Sequence, residues 1–261
     1  MSDNYIFVEK KDNIATIYLN RSEKRNALNY DMWLKISKLT KQCDEDSGVK
    51  VIIFRGRDHT AFSAGADIGE FKTLRYTAEG ADKYNQATLD AEKIIMECKK
   101  PTISMVQGFC VGGGCEISLA CDFRFCDESG KFGITPAKLG LVYNLPGTKN
   151  LVDLVGPSKA KDILYTGRLL DASEAKEIGL VDRVYKHDEL EAKTYNYAKL
   201  LSENAQFTIR GAKYVVSKVL DGESEDTEEI AKLVLDSFET DDYREGVRAF
   251  LEKRKPVFTY S

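Results

Sequence analysis

The sequence predicts an α/β protein of layered strands and helices, and three observations predict it. Short β-type runs alternate with helical patterns through most of the chain, the signature of strands covered by helices. Val51 to Phe54 is uninterrupted apolar sequence, as expected of a strand buried on both faces. Two strands also run out into loops of small residues, Phe62 to Asp67 and the glycines Gly112, Gly113 and Gly114, where backbone can approach a ligand closely.

The elements follow in order. Tyr5 to Val8 and Ile14 to Leu19 read as strands joined by a turn at Lys11-Asp12-Asn13. Arg21 to Leu28 is basic and not strand-like. Asn29 is placed to cap a helix running to about Glu45, with Met32, Ile36, Leu39 and Cys43 at helical spacing. After the strand at Val51 and the loop at Phe62 comes a long helix, Thr77 to Cys98, with Leu89, Ile94 and Ile95 on its apolar side; Pro101 stops it. Thr102 to Val106 is a strand, Gly112 to Gly114 a turn, Cys115 to Cys121 a helix and Phe123 to Cys126 a strand. Phe132 to Gly147 reads as a loop, followed by helical stretches from Gly147 to Val155, Pro157 to Tyr165 and Ala172 to Ile178, then a strand from Val181 to Val184. From His187 the pattern is nearly all helical: Asp188 to Glu203, Thr208 to Leu220, Thr227 to Glu239 and Asp241 to Arg254. The chain is thus divided into a strand–helix core, 1–200, and a helical C-terminal region, 201–261.

Composition narrows the function. A chain of 261 residues with 43% apolar residues can bury a large core. A net charge of −4 and a pI near 5.5 argue against a general nucleic-acid or anionic-membrane binder. No apolar run reaches the ~20 residues of a membrane span, and the N-terminus shows no basic-then-apolar leader. The six cysteines form no C-x-x-C, and with two histidines, His59 and His187, zinc spacing is absent; reduced, buried thiols in a cytoplasmic protein are expected. No G-x-S-x-G, G-x-x-x-x-G-K-[ST] or G-x-G-x-x-G occurs. A Ser-His-Asp hydrolase is therefore not indicated.

What remains is a carboxylate beside bare amides. Glycines opening a helix leave N–H groups uncovered, and those groups and the helix dipole favour developing negative charge. Glu116 is the only charged side chain between Lys100 and Asp122. Two readings stand side by side. In one, the turn holds an oxygen becoming an anion and Glu116 moves protons. In the other, the glycines let a strand and helix pack closely, and Glu116 is an ordinary first-turn acid.

At Phe62 to Asp67 and Gly112 to Glu116 together, the sequence resembles the crotonase superfamily, also called the enoyl-CoA hydratase/isomerase family. K-R-N-A-L (Lys24 to Leu28), K-P-T-I-S-M-V-Q-G-F (Lys100 to Phe109), T-G-R-L-L-D-A-S-E-A-K-E-I-G-L-V (Thr166 to Val181) and F-L-E-K-R-K-P (Phe250 to Pro256) extend the resemblance over nearly the whole chain. It implies a crotonase-like β-β-α spiral core with a helical C-terminal trimerisation region. It implies a coenzyme A thioester substrate, coenzyme A entering only as part of that substrate, with no further cofactor and no metal. The oxyanion hole would be the amides of Ala66 and Gly113. Lys24, Arg25, Ala27, Ala64, Asp67 and Ile68 would bind the coenzyme A portion, with Phe250 and Lys253 reaching it from a neighbouring subunit of a homotrimer or homohexamer. For Lys24, Arg25 and Lys253 a solvated surface charge is the competing reading.

The sequence departs from the family's hydratases at one place. They carry a second glutamate in a P-E pair after F-G, whereas here F-G-I-T-P-A puts Pro136 in that position. The T-P substitution and the following Y-N-L resemble methylmalonyl-CoA decarboxylases of the same superfamily, which places Tyr143 near the substrate as a second catalytic candidate beside Glu116; a core or rim aromatic is its competing reading. Three functions follow: an enoyl-CoA hydratase-type lyase with one catalytic glutamate, a decarboxylase of a methylmalonyl-type thioester, and a non-catalytic or nucleic-acid-binding family member. The complete glycine turn, Glu116 and the acidic pI weigh against the last.

Overall fold

The computed structural model describes residues 4–259. Met1 to Asp3, part of the stretch read as lacking a leader, and Tyr260 and Ser261 lie outside the described residues.

The chain opens with β1 (Ile6–Lys11) and β2 (Ile14–Leu19), an antiparallel hairpin. Its two-residue turn uses positive φ at both Asp12 (52°) and Asn13 (64°). Asx residues tolerate that region, and two such angles in succession give the turn whose twist matches the strands. Helix α1 (Tyr30–Glu45) follows, and the Asn29 side chain accepts the Met32 N–H at 2.9 Å as its cap. Met32, Ile36, Leu39 and Cys43 are all buried, as their spacing predicts.

From here the chain repeats a β-β-α unit. The first turn is β3 (Val51–Gly56), β4 (Ala61–Ser63) and α2 (Ala78–Glu97); the second is β5 (Thr102–Val106), β6 (Phe109–Val111) and α3 (Gly113–Ala120); the third is β7 (Phe123–Asp127), β8 (Lys131–Gly133) and α4 (Leu145–Thr166). In each turn the first strand joins a six-stranded sheet and the second joins a four-stranded one. After β9 (Leu170–Asp171), α5 (Ala172–Glu177) and β10 (Arg183–Tyr185), the sheet orders are β1-β2-β3-β5-β7-β10 and β4-β6-β8-β9. The turns are parallel at each step (β3 with β5, β5 with β7, β4 with β6, β6 with β8), so the chain advances by one strand per turn as a spiral. All six residues of β3 are buried, as a continuous apolar run requires.

The structure corrects the sequence reading in three places. The second sheet lies in stretches where the sequence shows no strand, because strands of two or three residues are too short to show an alternating pattern. The last strand lies at Arg183–Tyr185 rather than Val181–Val184; Val181 is buried just before it. The buried face of α2 is made of Tyr84, Ala87, Thr88, Ala91, Glu92 and Ile95, so of the expected apolar side only Ile95 is fully covered. The two helical stretches expected on either side of Gly156 are both present within α4, which is broken where Gly156 adopts φ 75° before Pro157.

Helices α6 (Leu190–Ser202), α7 (Gln206–Leu220), α8 (Glu228–Ser237) and α9 (Asp241–Leu251) complete the chain. α6 packs on the outer face of the larger sheet. The last three helices leave Val216, Val219, Leu235, Phe238, Phe250 and Leu251 exposed. No helix is long and apolar enough to cross a membrane among the described residues, and all six cysteines are free and buried.

Candidate active site

Three loops of successive spiral turns meet at one cavity of about 720 Å³. Each leaves a strand of the smaller sheet: Ala64, Gly65 and Ala66 follow β4, Gly112 and Gly113 follow β6, and Thr135 and Pro136 follow β8. Because β4, β6 and β8 are neighbours, their C-terminal loops are neighbours too. Residues far apart in sequence come together at one cavity for this reason alone.

The first loop is held by a short parallel bridge between Leu28 and Ala66. The Leu28 N–H donates to the Gly65 carbonyl at 2.7 Å, and the Leu28 carbonyl accepts from the Asp67 N–H at 2.8 Å. Leu28 thus bonds to the residues flanking Ala66, and the Ala66 N–H makes no backbone hydrogen bond of this bridge. Leu28 is fixed in turn from behind. The Trp33 indole N–H donates to the Tyr84 hydroxyl (2.9 Å), which donates to the Leu28 carbonyl (3.0 Å).

In the second loop Gly112 takes φ 51° and its carbonyl accepts the Glu116 N–H at 3.0 Å, starting α3. Gly113 is the first residue of that helix, so its N–H has no intrahelical acceptor. A Cβ on Gly113 would stand 2.8 Å from the Trp33 ring and 3.1 Å from Leu28. The two sequence readings of the glycines are therefore compatible: the same absence of side chains lets α3 seat against α1 and leaves the amide uncovered.

Glu116 faces the cavity from the first turn of α3. The surrounding wall is largely apolar, with Trp33, Phe71, Leu89, Val111, Leu141 and Val142 contributing. Burial pushes the Glu116 carboxyl up from the ordinary range, while the Arg75 guanidinium and the Tyr143 hydroxyl oppose the shift. Arg75 is held over two rings, 4.2 Å from the centroid of Phe71 and 4.4 Å from that of Tyr84. Tyr143 stands beside Glu116 with its hydroxyl buried and completing no hydrogen bond among the described residues. Burial, followed by the nearby Glu116 and Glu92 charges, pushes that hydroxyl's pKa up.

Of the residues singled out from sequence, Ala64, Ala66, Ile68, Gly113, Glu116 and Tyr143 share this cavity. Lys24, Arg25, Ala27, Asp67, Phe250 and Lys253 are not among its lining. Lys24 and Arg25 are exposed, with Arg25 stacked 5.2 Å from the Phe109 ring centroid; Ala27 uses its carbonyl to accept from Arg21 at 3.0 Å. Asp67 is already engaged, paired with Arg21 at 2.6 Å and accepting the Gly69 N–H at 2.9 Å. Burial would raise its pKa, but these two partners outweigh burial and hold it low. Phe250 is 83% exposed near the end of α9, and Lys253 follows two residues after that helix. Trp33, Arg75, Tyr84 and Glu92 were not anticipated. Trp33 is the chain's only tryptophan, which was the one available signal. No cluster of three or more His, Cys, Asp or Glu side chains suited to a metal ion occurs among the described residues.

A family model described as Enoyl-CoA hydratase/isomerase matches residues 9–261. The chain is 35% identical to a crotonyl-CoA hydratase of Syntrophomonas wolfei, covering 99% of both sequences. Among solved structures it is similar to an enoyl-CoA hydratase/isomerase family protein from Hyphomonas neptunium (39% identity, TM-score 0.96, 98% of each chain). It is also similar to an enoyl-CoA hydratase from Bacillus anthracis (31% identity, TM-score 0.90, 99% of this chain and 100% of that one).

Proposed function

The chain belongs to the enoyl-CoA hydratase/isomerase family, and from that premise we propose that it is an enoyl-CoA hydratase-type lyase acting through one substrate-facing glutamate. The observation that carries this reading is the convergence of Ala66, Gly113 and Glu116 on one mostly apolar cavity. The Ala66 and Gly113 amides hold the thioester oxygen while it becomes an enolate, and the dipole of α3 adds to the second of them. One such donor is typically worth ~3–4 kcal/mol in the transition state. Glu116, with its raised pKa, is suited to exchange a proton near neutral pH. Lys24, Arg25, Ala27, Ala64, Asp67 and Ile68 serve the coenzyme A portion in this reading. Phe250 and Lys253, absent from their own chain's cavity lining, serve a neighbour's in a homotrimer or homohexamer. The exposed apolar residues of α7, α8 and α9 support such an assembly.

Pro136 supports a second reading. The third loop brings no carboxylate to the cavity, and loss of CO₂ from a methylmalonyl-type thioester needs enolate stabilisation more than a second acid. Incubating the protein separately with crotonyl-CoA and methylmalonyl-CoA, and resolving products by mass, decides between them. Addition of water to crotonyl-CoA is expected; CO₂ release from methylmalonyl-CoA with crotonyl-CoA unchanged would replace the first reading by the second. Light scattering that found an active monomer would remove the shared site.

A further inference from the structure

Arg75 has no substrate to bind in the roles above, yet the chain fixes it firmly on the cavity wall. It lies on the short 3-10 turn Leu74–Tyr76 that leads into α2. The Thr77 side chain caps that helix by accepting the Gly80 N–H at 3.1 Å. A Cβ on Gly80 would overlap the Leu74 carbonyl oxygen, so the first turn of α2 rests directly on the turn that carries Arg75. The guanidinium rests against the rings of Phe71 and Tyr84, 4.2 and 4.4 Å from their centroids. Tyr84 is fixed in its turn, accepting from the Trp33 indole and donating to the Leu28 carbonyl. The ring that braces the Ala66 loop therefore also holds Arg75.

What this seat lacks is an anion. The Arg75 guanidinium makes no hydrogen bond and no ion pair among the described residues. The two carboxylates on the same wall, Glu116 and Asp82, form no ion pair with it. Lys138, the other cation on the wall, is exposed, whereas Arg75 is half-buried. A guanidinium offers five N–H donors in a planar fork that matches a carboxylate, and such donors are costly to leave without an acceptor once water is displaced. A ligand of this site has two sources of anionic oxygen, the phosphates of a coenzyme A arm and the acyl group. Lys24 and Arg25, assigned to that arm, lie outside the cavity lining. Arg75 instead shares the wall with Glu116, Thr88 and Leu89, the part of the cavity that the acyl group occupies in the reading above.

Resting on the reading of this cavity as an acyl-CoA site, we propose that Arg75 is a specificity-determining residue that receives a carboxylate at the far end of the acyl group. The substrate class is then an enoyl thioester made from one carboxyl of a dicarboxylic acid, its second carboxylate paired with the guanidinium. That carboxylate is a handle and not a leaving group. Pairing with a cation stabilises the starting thioester, which would slow loss of CO₂ from a carboxylate on the reacting carbon. On a distal carbon the same pairing contributes binding and leaves the reaction alone. Water still adds across the double bond, and the distal carboxylate passes unchanged into the product. Because the turn and both rings fix Arg75 in advance, little side-chain freedom is lost when the pair forms.

The first test needs no turnover. Calorimetry compares glutaryl-CoA with pentanoyl-CoA, saturated thioesters of equal chain length that differ in the terminal carboxylate. Wild type is expected to bind glutaryl-CoA at least ~10-fold more tightly; Arg75→Met reduces that preference to within ~2-fold, and Arg75→Lys, which keeps the charge without the fork, retains part of it. Equal affinity in wild type overturns the proposal. A preference that survives in Arg75→Met, with both ligands weakened alike, also overturns it and assigns the cation to a phosphate of the coenzyme A arm. Failure of both thioesters to bind wild type overturns the acyl-CoA reading together with this proposal, so the two failures are told apart. The second test compares hydration of glutaconyl-CoA with that of crotonyl-CoA. In Arg75→Met the ratio of their kcat/KM values falls ~10-fold or more, carried mainly by a raised KM for glutaconyl-CoA, because a distal contact is the same before and during the reaction. A ratio within ~2-fold of wild type overturns the proposal. Should Arg75→Met fail to fold, the wild-type affinities and Arg75→Lys still decide.

Discussion

The second and third turns of the spiral reach the same cavity by equivalent connections and deliver different chemistry. In the second, the chain passes from β6 through Gly112 straight into α3, so a bare amide and a first-turn carboxylate arrive together. In the third, Pro136 starts a short 3-10 turn ending at Gly140 (φ 68°), and α4 begins only at Leu145. The intervening stretch presents apolar surface, with Val142 99% exposed, and brings a hydroxyl, Tyr143, where the second turn brings an acid. The backbone route decides what a loop can offer. A direct strand-to-helix passage exposes helix-opening amides, whereas a proline at the same point has no N–H to give.

The largest effect that can break this contrast is Glu116→Gln. In the hydratase reading kcat on crotonyl-CoA falls by at least ~10²-fold, the scale of a lost general acid/base. Near-wild-type hydration by that variant would move the chemistry to the third turn or elsewhere. The same substitution alters stability in the opposite sense. A carboxyl with a raised folded-state pKa contributes fully below the ordinary carboxylate value of 4.5 and loses that contribution as pH rises through the folded value. Melting curves should therefore show Glu116→Gln gaining on wild type as the pH is raised from that value into the neutral range.

A smaller effect is expected of Gly113→Ala. The added Cβ meets the Trp33 ring at 2.8 Å, and overpacking of this kind typically costs ~1–3 kcal/mol. Both the melting temperature and kcat/KM should drop, whereas Pro136→Ala in the third turn should change each by much less. Equal sensitivity at the two positions would erase the distinction between the loops. On crotonyl-CoA, which has no second carboxylate, the smallest effect expected is at Arg75→Met. Its charge favours ionised Glu116, so removing it raises that pKa and moves the acid limb of the kcat/KM profile upward by a fraction of a pH unit, with little change at the plateau. A limb that moves downward would show that Arg75 acts on another group.

Much of the scaffold was legible because long elements repeat their signal. The α1 face Met32, Ile36, Leu39 and Cys43 could be read at helical spacing, and Asp12-Asn13 could be read as a turn by residue type. The smaller sheet could not, since β4, β6 and β8 have three residues each and no period to detect. That gap hid the reason Ala66 and Gly113 adjoin the same cavity; only the resemblance paired them. Glu92 was illegible for another cause. Its neighbours on the buried face of α2 include Ala87, Ala91 and Thr88, small residues that look neutral in sequence, so an acid among them looks like solvent-exposed polarity. Arg75 lies on a 3-10 turn, Leu74–Tyr76, whose sequence carries no sign of the rings it stacks on.

The seat of Trp33 has a practical consequence. The chain's single indole packs against the helix-opening glycine and donates to the Tyr84 hydroxyl that braces Leu28 behind Ala66. The only intrinsic fluorophore of its kind is thus wired to both loops that carry the proposed donors. The protein brings its own optical reporter: the colour and intensity of tryptophan emission register the packing of the site without any label, in every variant that leaves residue 33 untouched.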